Sequence, residues 1–266
     1  MKKKHPEKTR GVVRKKYSEI AKGASSESII PVSCCGEPLV PLDSLTTALG
    51  YSQEELASVP HGANMGLGCG NPLAIASLKK GETIVDLGSG GGFDCFLAAK
   101  QVGPRGMVIG VDMTAEMVSK ARKNATKGGY SNVEFRLGEI EHLTVADDTA
   151  DVIISNCVIN LSPEKLHVFR ETFRILKPGG RLAITDVVAS APLPAEFQND
   201  STLLSACIAG AATIDELNNL LEEVGFIDIR ILPLDKSRMF IKDWFSDLKV
   251  EDYVVSATIE ATKPSQ

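Results

Sequence analysis

Glu82-Thr-Ile-Val-Asp-Leu-Gly-Ser-Gly-Gly-Gly-Phe-Asp94 decides the fold. Thr83 to Leu87 is a short apolar run that carries one carboxylate, Asp86, and reads as a buried strand. Gly88, Gly90, Gly91 and Gly92 then form a turn, and residues from Phe93 on follow helical spacing. Glycines in such a turn accept positive φ and let a ligand lie against the main chain. The free amides at the start of the next helix point at that ligand. A strand, a glycine turn and a helix in this order describe a nucleotide-type cofactor site.

Working outward, strands and helices alternate. The pattern predicts strands at 82–87, 107–112, 132–136, 151–155, 181–186, 226–232 and 252–262. Helices are expected at 93–102, 114–127, 163–176, about 200–209, and 213–224. Thr114 and Ser162 read as N-caps, and Gly128-Gly129 and Gly225 as stops. Before the first strand, residues 6–22 place Val12, Val13, Tyr17, Ile20 and Ala21 on one helical stripe. Residues 23–45 read as loop. Tyr51 to Ser58 is a short helix capped by Ser52. Pro60 to Asn71 is an irregular glycine-rich loop, and Pro72 opens a helix to Lys79. Seven strands with interleaved helices imply an α/β fold with a mostly parallel sheet covered on both faces. Cofactors bind beyond the carboxyl ends of such strands.

The chain has 266 residues, 43% hydrophobic and 24% charged, with a net charge of −5. These are values of a soluble globular protein, and they give no reason to expect nucleic acid. Lys2, Lys3, Lys4, Lys8, Arg10, Arg14, Lys15 and Lys16 cluster at the N-terminus and read as a solvated basic face. No apolar run is long enough for a membrane span, and no signal peptide is visible. A cytoplasmic protein is expected, with its six cysteines (Cys34, Cys35, Cys69, Cys95, Cys157 and Cys207) serving as free thiols, metal or metalloid ligands, or redox-active pairs.

The cofactor is narrowed by two departures from the dinucleotide fingerprint. Phe93 stands where G-x-G-x-x-G requires its third glycine. Asp86, just before the turn, would repel a pyrophosphate but suits a ligand bearing a cation. Asp112 ends the second strand, placed for ribose hydroxyls, as in many nucleotide enzymes. Val85-Asp-Leu-Gly-Ser-Gly-Gly-Gly92, Gly110-Val-Asp-Met113 and Leu176-Lys-Pro-Gly-Gly180 together resemble the class I, Rossmann-like S-adenosylmethionine-dependent methyltransferases. The resemblance implies that Asp86, Gly88, Ser89 and Gly90 serve the methionine end and Asp112 and Met113 the ribose. It implies that Glu139 and Ile140 flank the adenine and that Asn156 faces the cofactor.

The substrate is read from the cysteines. Cys95 sits on the first cofactor helix, where burial accounts for it. Cys157 follows the fourth strand, at the sheet's carboxyl edge, and Cys207 lies in the segment after the fifth. Cys69 lies in the glycine-rich loop ahead of the cofactor core. No C-x-x-C or histidine pair marks zinc; dispersed thiolates around one point suit a soft, trigonal ion. His61 and His142 read as structural or solvated.

Pro60-His-Gly-Ala-Asn-Met-Gly-Leu-Gly-Cys-Gly-Asn-Pro72, Ser155-Asn-Cys-Val-Ile-Asn-Leu161 and Ser205-Ala-Cys-Ile-Ala-Gly-Ala211 are similar to arsenite methyltransferases. In that family the positions of Cys157 and Cys207 bind trivalent arsenic. Cys69 matches a third functional cysteine, which also pairs with one in the N-terminal loop, Cys35 or Cys34, with Cys35 favoured. The resemblance implies arsenic detoxification with S-adenosylmethionine as methyl donor and a thioredoxin- or glutathione-type thiol reductant, and a monomer is expected. The implied organisation is an N-terminal extension (1–70), a cofactor core (71–190), and an arsenic-side cover with the last strands (191–266). Two other readings stay open on the residues: methylation of another small molecule, and a non-enzymatic thiol protein for soft metals.

Overall fold

The computed structural model describes residues 6–23, 42–245 and 247–265. Among them, seven strands form one sheet in the order β3-β2-β1-β4-β5-β7-β6. The strands are β1 (Thr83–Leu87), β2 (Met107–Asp112), β3 (Val133–Leu137), β4 (Ala150–Asn156), β5 (Leu176–Ala189), β6 (Ile227–Pro233) and β7 (Val254–Thr262). β7 runs antiparallel between β5 and β6, and every other pairing is parallel. The order reverses direction between β1 and β4, so their carboxyl ends open a crevice there.

The helices are α1 (Pro6–Gly23), α2 (Leu42–Ala48), α3 (Gln53–Ser58), α4 (Leu73–Ala76), α5 (Phe93–Val102), α6 (Ala115–Gly128), α7 (Lys165–Ile175), α8 (Ala195–Asn199), α9 (Ser201–Ser205), α10 (Ile214–Val224) and α11 (Arg238–Ile241). One sheet face packs on α5 and α6 through Phe96, Leu97, Val118 and Ala121. The other packs on α7 and α10 through Val168, Phe169, Leu217 and Leu221. Both faces are covered, so β1 and β4 carry nearly continuous apolar runs rather than alternating ones. A third cluster lies at the carboxyl ends, where Val13 of α1, Phe197, Leu203, Ile208, Ile241 and Val250 surround Cys69, Cys157 and Cys207.

Several boundaries differ from the expected ones for local reasons. β5 begins at Leu176 rather than 181: Leu176 pairs with Ala150 and Arg181 with Val152, so residues 177–180 bulge from a strand that β7 extends to Ala189. α4 is a single turn, ended by Ser77 in the left-handed region at φ 48°. α7 starts at Lys165 because the Ser162 hydroxyl donates to Glu141 at 2.6 Å while accepting from the Glu164 amide. The helix expected at about 200–209 is shorter, α9 (Ser201–Ser205), and a separate short helix, α8, precedes it. Asp200 caps α9 by accepting from the amides of Thr202 and Leu203. α9 stops before Cys207, whose φ of 62° no helix accommodates.

The basic face of α1 is not simply solvated. The Arg10 side chain is 11% exposed and meets Glu164 at 2.9 Å, Glu141 at 3.3 Å and Glu139 at 3.4 Å. Arg14 meets Glu139 at 2.8 Å. These acids come from the loop after β3 and from the turn before α7, far from α1 in the chain, which is why charge clustering alone misreads the basic face. Val12, placed on the apolar stripe by spacing, is exposed, while Val13 is buried. No helix among the described residues is long and apolar enough to cross a membrane.

Candidate functional site

The glycine turn closes on the sheet through its own main chain. The amides of Gly88 and Ser89 both donate to the Val111 carbonyl, at 2.7 and 3.1 Å. Gly88 has φ 70°, and a Cβ there would lie 2.4 Å from Val158 Cγ2, so only glycine fits. Asp112, at the end of β2, accepts the Gly90 amide on Oδ2 at 3.0 Å and the Thr114 amide on Oδ1 at 2.8 Å. One carboxylate thus shapes both the glycine turn and the entry to α6. Thr114 is the N-cap residue of α6, but its side chain makes no capping bond.

These loops wall an open cavity whose empty space, counted out into its mouth, is about 1100 Å³. Asp86, Gly88, Ser89, Gly90, Asp112, Met113, Ile140 and Asn156, all expected at the cofactor, line it. Glu139 does not, and its carboxylate meets Arg10 and Arg14; Glu141, two residues on, lines the cavity instead. The wall also contains residues that the sequence reading missed: Tyr51, Asp94, and Arg10, Val13 and Tyr17 of α1. Asp94 looks like an ordinary first-turn acid of α5. Its hydrogen bond from the Tyr51 hydroxyl, 2.6 Å, depends on a residue far away in the chain.

Four carboxylates in this wall are buried: Asp86, Asp94, Asp112 and Glu141. Burial and the neighbouring Asp94 charge push Asp86 well above the usual carboxylate range. Burial raises Asp94 to about 6, opposed by hydrogen bonds from Tyr51 and Asn156. Burial raises Asp112 too, opposed by its two amide donors. The Ser89 hydroxyl is buried with no hydrogen-bond partner. Grouped acids that resist ionisation and an orphaned hydroxyl fit a polar ligand carrying positive charge. The donor set therefore fits the S-adenosylmethionine that the resemblance implies.

The thiols lie beside this cavity. Cys157 lines it, and Cys69 and Cys207 sit behind, all three buried. Cys157 and Cys207 both have left-handed backbones, φ 61° and 62°, a strained conformation for residues with a Cβ. The Cys207 thiol donates to the Cys157 carbonyl at 2.8 Å. The Cys207 hydrogen bond draws the Cys157 thiol down, but the bond to Cys69 and burial outweigh it and leave that thiol well above its ordinary range. The sulfurs of Cys69 and Cys157 and a carboxylate oxygen of Asp186 lie within 4.8 Å of one another. Asp186 is itself held by the amides of Ile159 and Val187, at 2.8 and 2.7 Å, and by Asn160 Nδ2 at 2.9 Å. Nothing in the sequence pattern singles it out for this position.

Cys95 is fully buried on α5, as expected, with its thiol 3.1 Å from Asp86 Oδ2. His61 and His142 are exposed. Cys34 and Cys35 lie outside the described residues.

A model of the methyltransferase domain family matches residues 78–225. The chain is 52% identical to the arsenite methyltransferase of Halobacterium salinarum, over 98% of this chain and 68% of that protein. It is 45% identical to the arsenite methyltransferase of Aquipseudomonas alcaligenes, over 62% of this chain and about half, 49%, of that longer protein. Among solved structures, an arsenic(III) S-adenosylmethionine methyltransferase from Chlamydomonas reinhardtii superposes with a TM-score of 0.63. That match has 34% identity and covers 85% of this chain and 75% of that one.

Proposed function

The chain belongs to the arsenite methyltransferase family and is an S-adenosylmethionine-dependent methyltransferase; from that premise we propose that it methylates trivalent arsenic, arsenite and methylarsenite, held by Cys69, Cys157 and Cys207. The observation that carries the proposal is that three buried thiols from three separate segments gather at the carboxyl end of β4 beside the acid-lined cavity, with Cys157 between the other two: its sulfur is within 4.8 Å of the Cys69 sulfur, and it takes a hydrogen bond from the Cys207 thiol on its carbonyl.

The chemistry follows from those groups. Arsenite exchanges its hydroxyls for thiols, and each thiol proton leaves on the departing water. The Cys157 thiol, held neutral by its bond to Cys69 and by burial, suits this exchange, since it need not be stored as a free thiolate. Bound arsenic retains a lone pair, so it is already a nucleophile and needs no general base. S-adenosylmethionine supplies the electrophilic sulfonium methyl. Asp86 and Asp94 would hold the cationic methionine end and Asp112 the ribose, with Ile140 packing on the adenine. α1 closes the cavity with Val13 and Tyr17, which keeps water out and restricts the approach, and positioning is the enzyme's main contribution.

Methyl transfer raises arsenic to the pentavalent state. In this proposal Cys69 and Cys35 give up two electrons by forming a disulfide, which returns arsenic to the trivalent state. A thioredoxin- or glutathione-type thiol then reduces the disulfide. The outcome serves arsenic detoxification. Residues 1–70 carry the redox pair, 71–190 hold the cofactor, and 191–266 close the arsenic side.

The test incubates the protein with arsenite, labelled S-adenosylmethionine and a thiol, and separates the arsenic species. Methylated arsenic is expected from the wild type and none from Cys157→Ser or Cys207→Ser, both of which keep S-adenosylhomocysteine binding. Full activity in both variants would refute the assignment.

A further inference from the structure

Cys69 sits on a loop, yet its sulfur lies within 4.8 Å of the Cys157 sulfur and of an Asp186 carboxylate oxygen. Something has to hold that loop. The Asn156 side chain, at the end of β4, bonds to the main chain on both sides of Cys69. Its Oδ1 accepts the Cys69 amide at 3.0 Å, and its Nδ2 donates to the Gly70 carbonyl at 2.8 Å. Nδ2 also lies 3.1 Å from the Tyr51 hydroxyl and 3.3 Å from Asp94 Oδ2, and the Thr185 hydroxyl donates to Oδ1 at 3.2 Å. Both amide hydrogens and both acceptor positions are thereby used. A flipped amide would set N–H against N–H at Cys69 and oxygen against oxygen at Gly70, so the orientation is unique.

The glycines flanking Cys69 give an independent, steric measure of the same seat. A Cβ on Gly68 would lie 2.6 Å from Asn156 Nδ2, and one on Gly70 would lie 2.9 Å from Thr185 Cβ. The loop backbone therefore rests directly on Asn156 and Thr185. The same two residues fix the second thiol: Cys157 directly follows Asn156, and its amide donates to the Thr185 carbonyl at 2.8 Å.

We propose that Asn156 is the positioning residue for Cys69, seating the Gly68-Cys69-Gly70 loop on the carboxyl ends of β4 and β5 so that the third sulfur completes the arsenic site. This role differs from contact with the cofactor, and it rests on the reading of Cys69 as an arsenic ligand. Through Tyr51 and Asp94 the same amide ties the arsenic loop to the acid wall of the cofactor cavity.

The test uses the full chain, loaded with one equivalent of arsenite in the presence of S-adenosylhomocysteine, and reads the arsenic coordination by X-ray absorption. The wild type is expected to show three sulfur neighbours. Asn156→Ala and Gly68→Ala are expected to show two sulfurs and one oxygen, as Cys69→Ser does. Their arsenite methylation is expected to fall on the order of 100-fold, the size of effect a small misplacement of a reacting group produces. Gly68→Ala deletes no hydrogen-bonding group and acts only by pushing the loop off Asn156, so it decides the matter if Asn156→Ala fails to fold. Three sulfur neighbours with wild-type rates in both variants would overturn the seat while leaving the arsenic reading intact. A wild type that binds arsenite through no sulfur would overturn both.

Discussion

Asp112→Asn is the sharpest probe of the cofactor side, because it preserves shape and removes one acceptor. Both oxygens of Asp112 accept main-chain amides, from Gly90 at 3.0 Å and Thr114 at 2.8 Å. An asparagine keeps one of these bonds and turns its own NH₂ toward the other amide. One charge-assisted bond is lost, a loss of about 1.5–3 kcal/mol, and a donor then faces a donor. Burial raises the Asp112 pKa, so removing the charge relieves part of its desolvation and offsets some of that loss. A net destabilisation of about 1–2 kcal/mol remains. The effect on ligand affinity is larger, since the Gly90 amide loosens and the ribose loses an anionic acceptor. A loss of about 1.5–3 kcal/mol corresponds to roughly 10- to 100-fold weaker binding. Calorimetric titration with S-adenosylhomocysteine measures the affinity, and thermal unfolding measures the stability. An affinity within about twofold of the wild type at an unchanged melting temperature would refute the reasoning, since a tenfold change is only 1.4 kcal/mol.

Proton linkage gives a second prediction. The folded pKa of Asp94, about 6, lies above its ordinary value, so the folded state binds more protons between pH 4 and 6. Its contribution to stability is therefore present at low pH and is lost as pH rises through 6; Asp186, also raised to about 6 by burial, acts in the same direction. Cofactor affinity runs the other way: a cationic ligand favours ionised Asp94, so binding at pH 6 should release protons. Titrations in buffers of different ionisation enthalpy would show this, and equal apparent enthalpies would count against it. Arg10→Ala removes the cation that, among the described residues, meets Glu139, Glu141 and Glu164 together, and Glu141 is 3% exposed. A loss of about 1–3 kcal/mol is expected, with faster S-adenosylhomocysteine release in stopped-flow as α1 loosens over the cavity. Gly88→Ala forces a Cβ into Val158 at φ 70° and should abolish cofactor binding while the far sheet edge, β6 and β7, keeps its amide protection in hydrogen exchange.

Much of this molecule could be read without coordinates, because the governing information is local in the chain. A run such as Thr83 to Leu87 needs only its own side chains to declare a buried strand. Gly88 to Gly92 declare a tight turn because no other residue takes those backbone angles cheaply. The predicted helix 93–102 and strand 107–112 coincide with α5 and β2. The alternation of strands and helices then leaves few topologies, and the cofactor end of the sheet follows.

The tertiary structure decided whatever depends on two distant segments meeting. Asp94 is a first-turn acid until Tyr51 docks on it. Arg10 is one of many basic residues until Glu139, Glu141 and Glu164 close around it, and of these Glu141 lines the cavity while Glu139 does not. β5 is as long as it is because β7 pairs along nine of its residues. The three thiols show the division most clearly. Their identity is written in the chain, but their meeting is not: it depends on left-handed backbones at Cys157 and Cys207 and on Asn156 and Thr185 seating the loop of Cys69. Backbone strain and shared hydrogen bonds are sustained only by surrounding packing, and packing is a property of the folded whole.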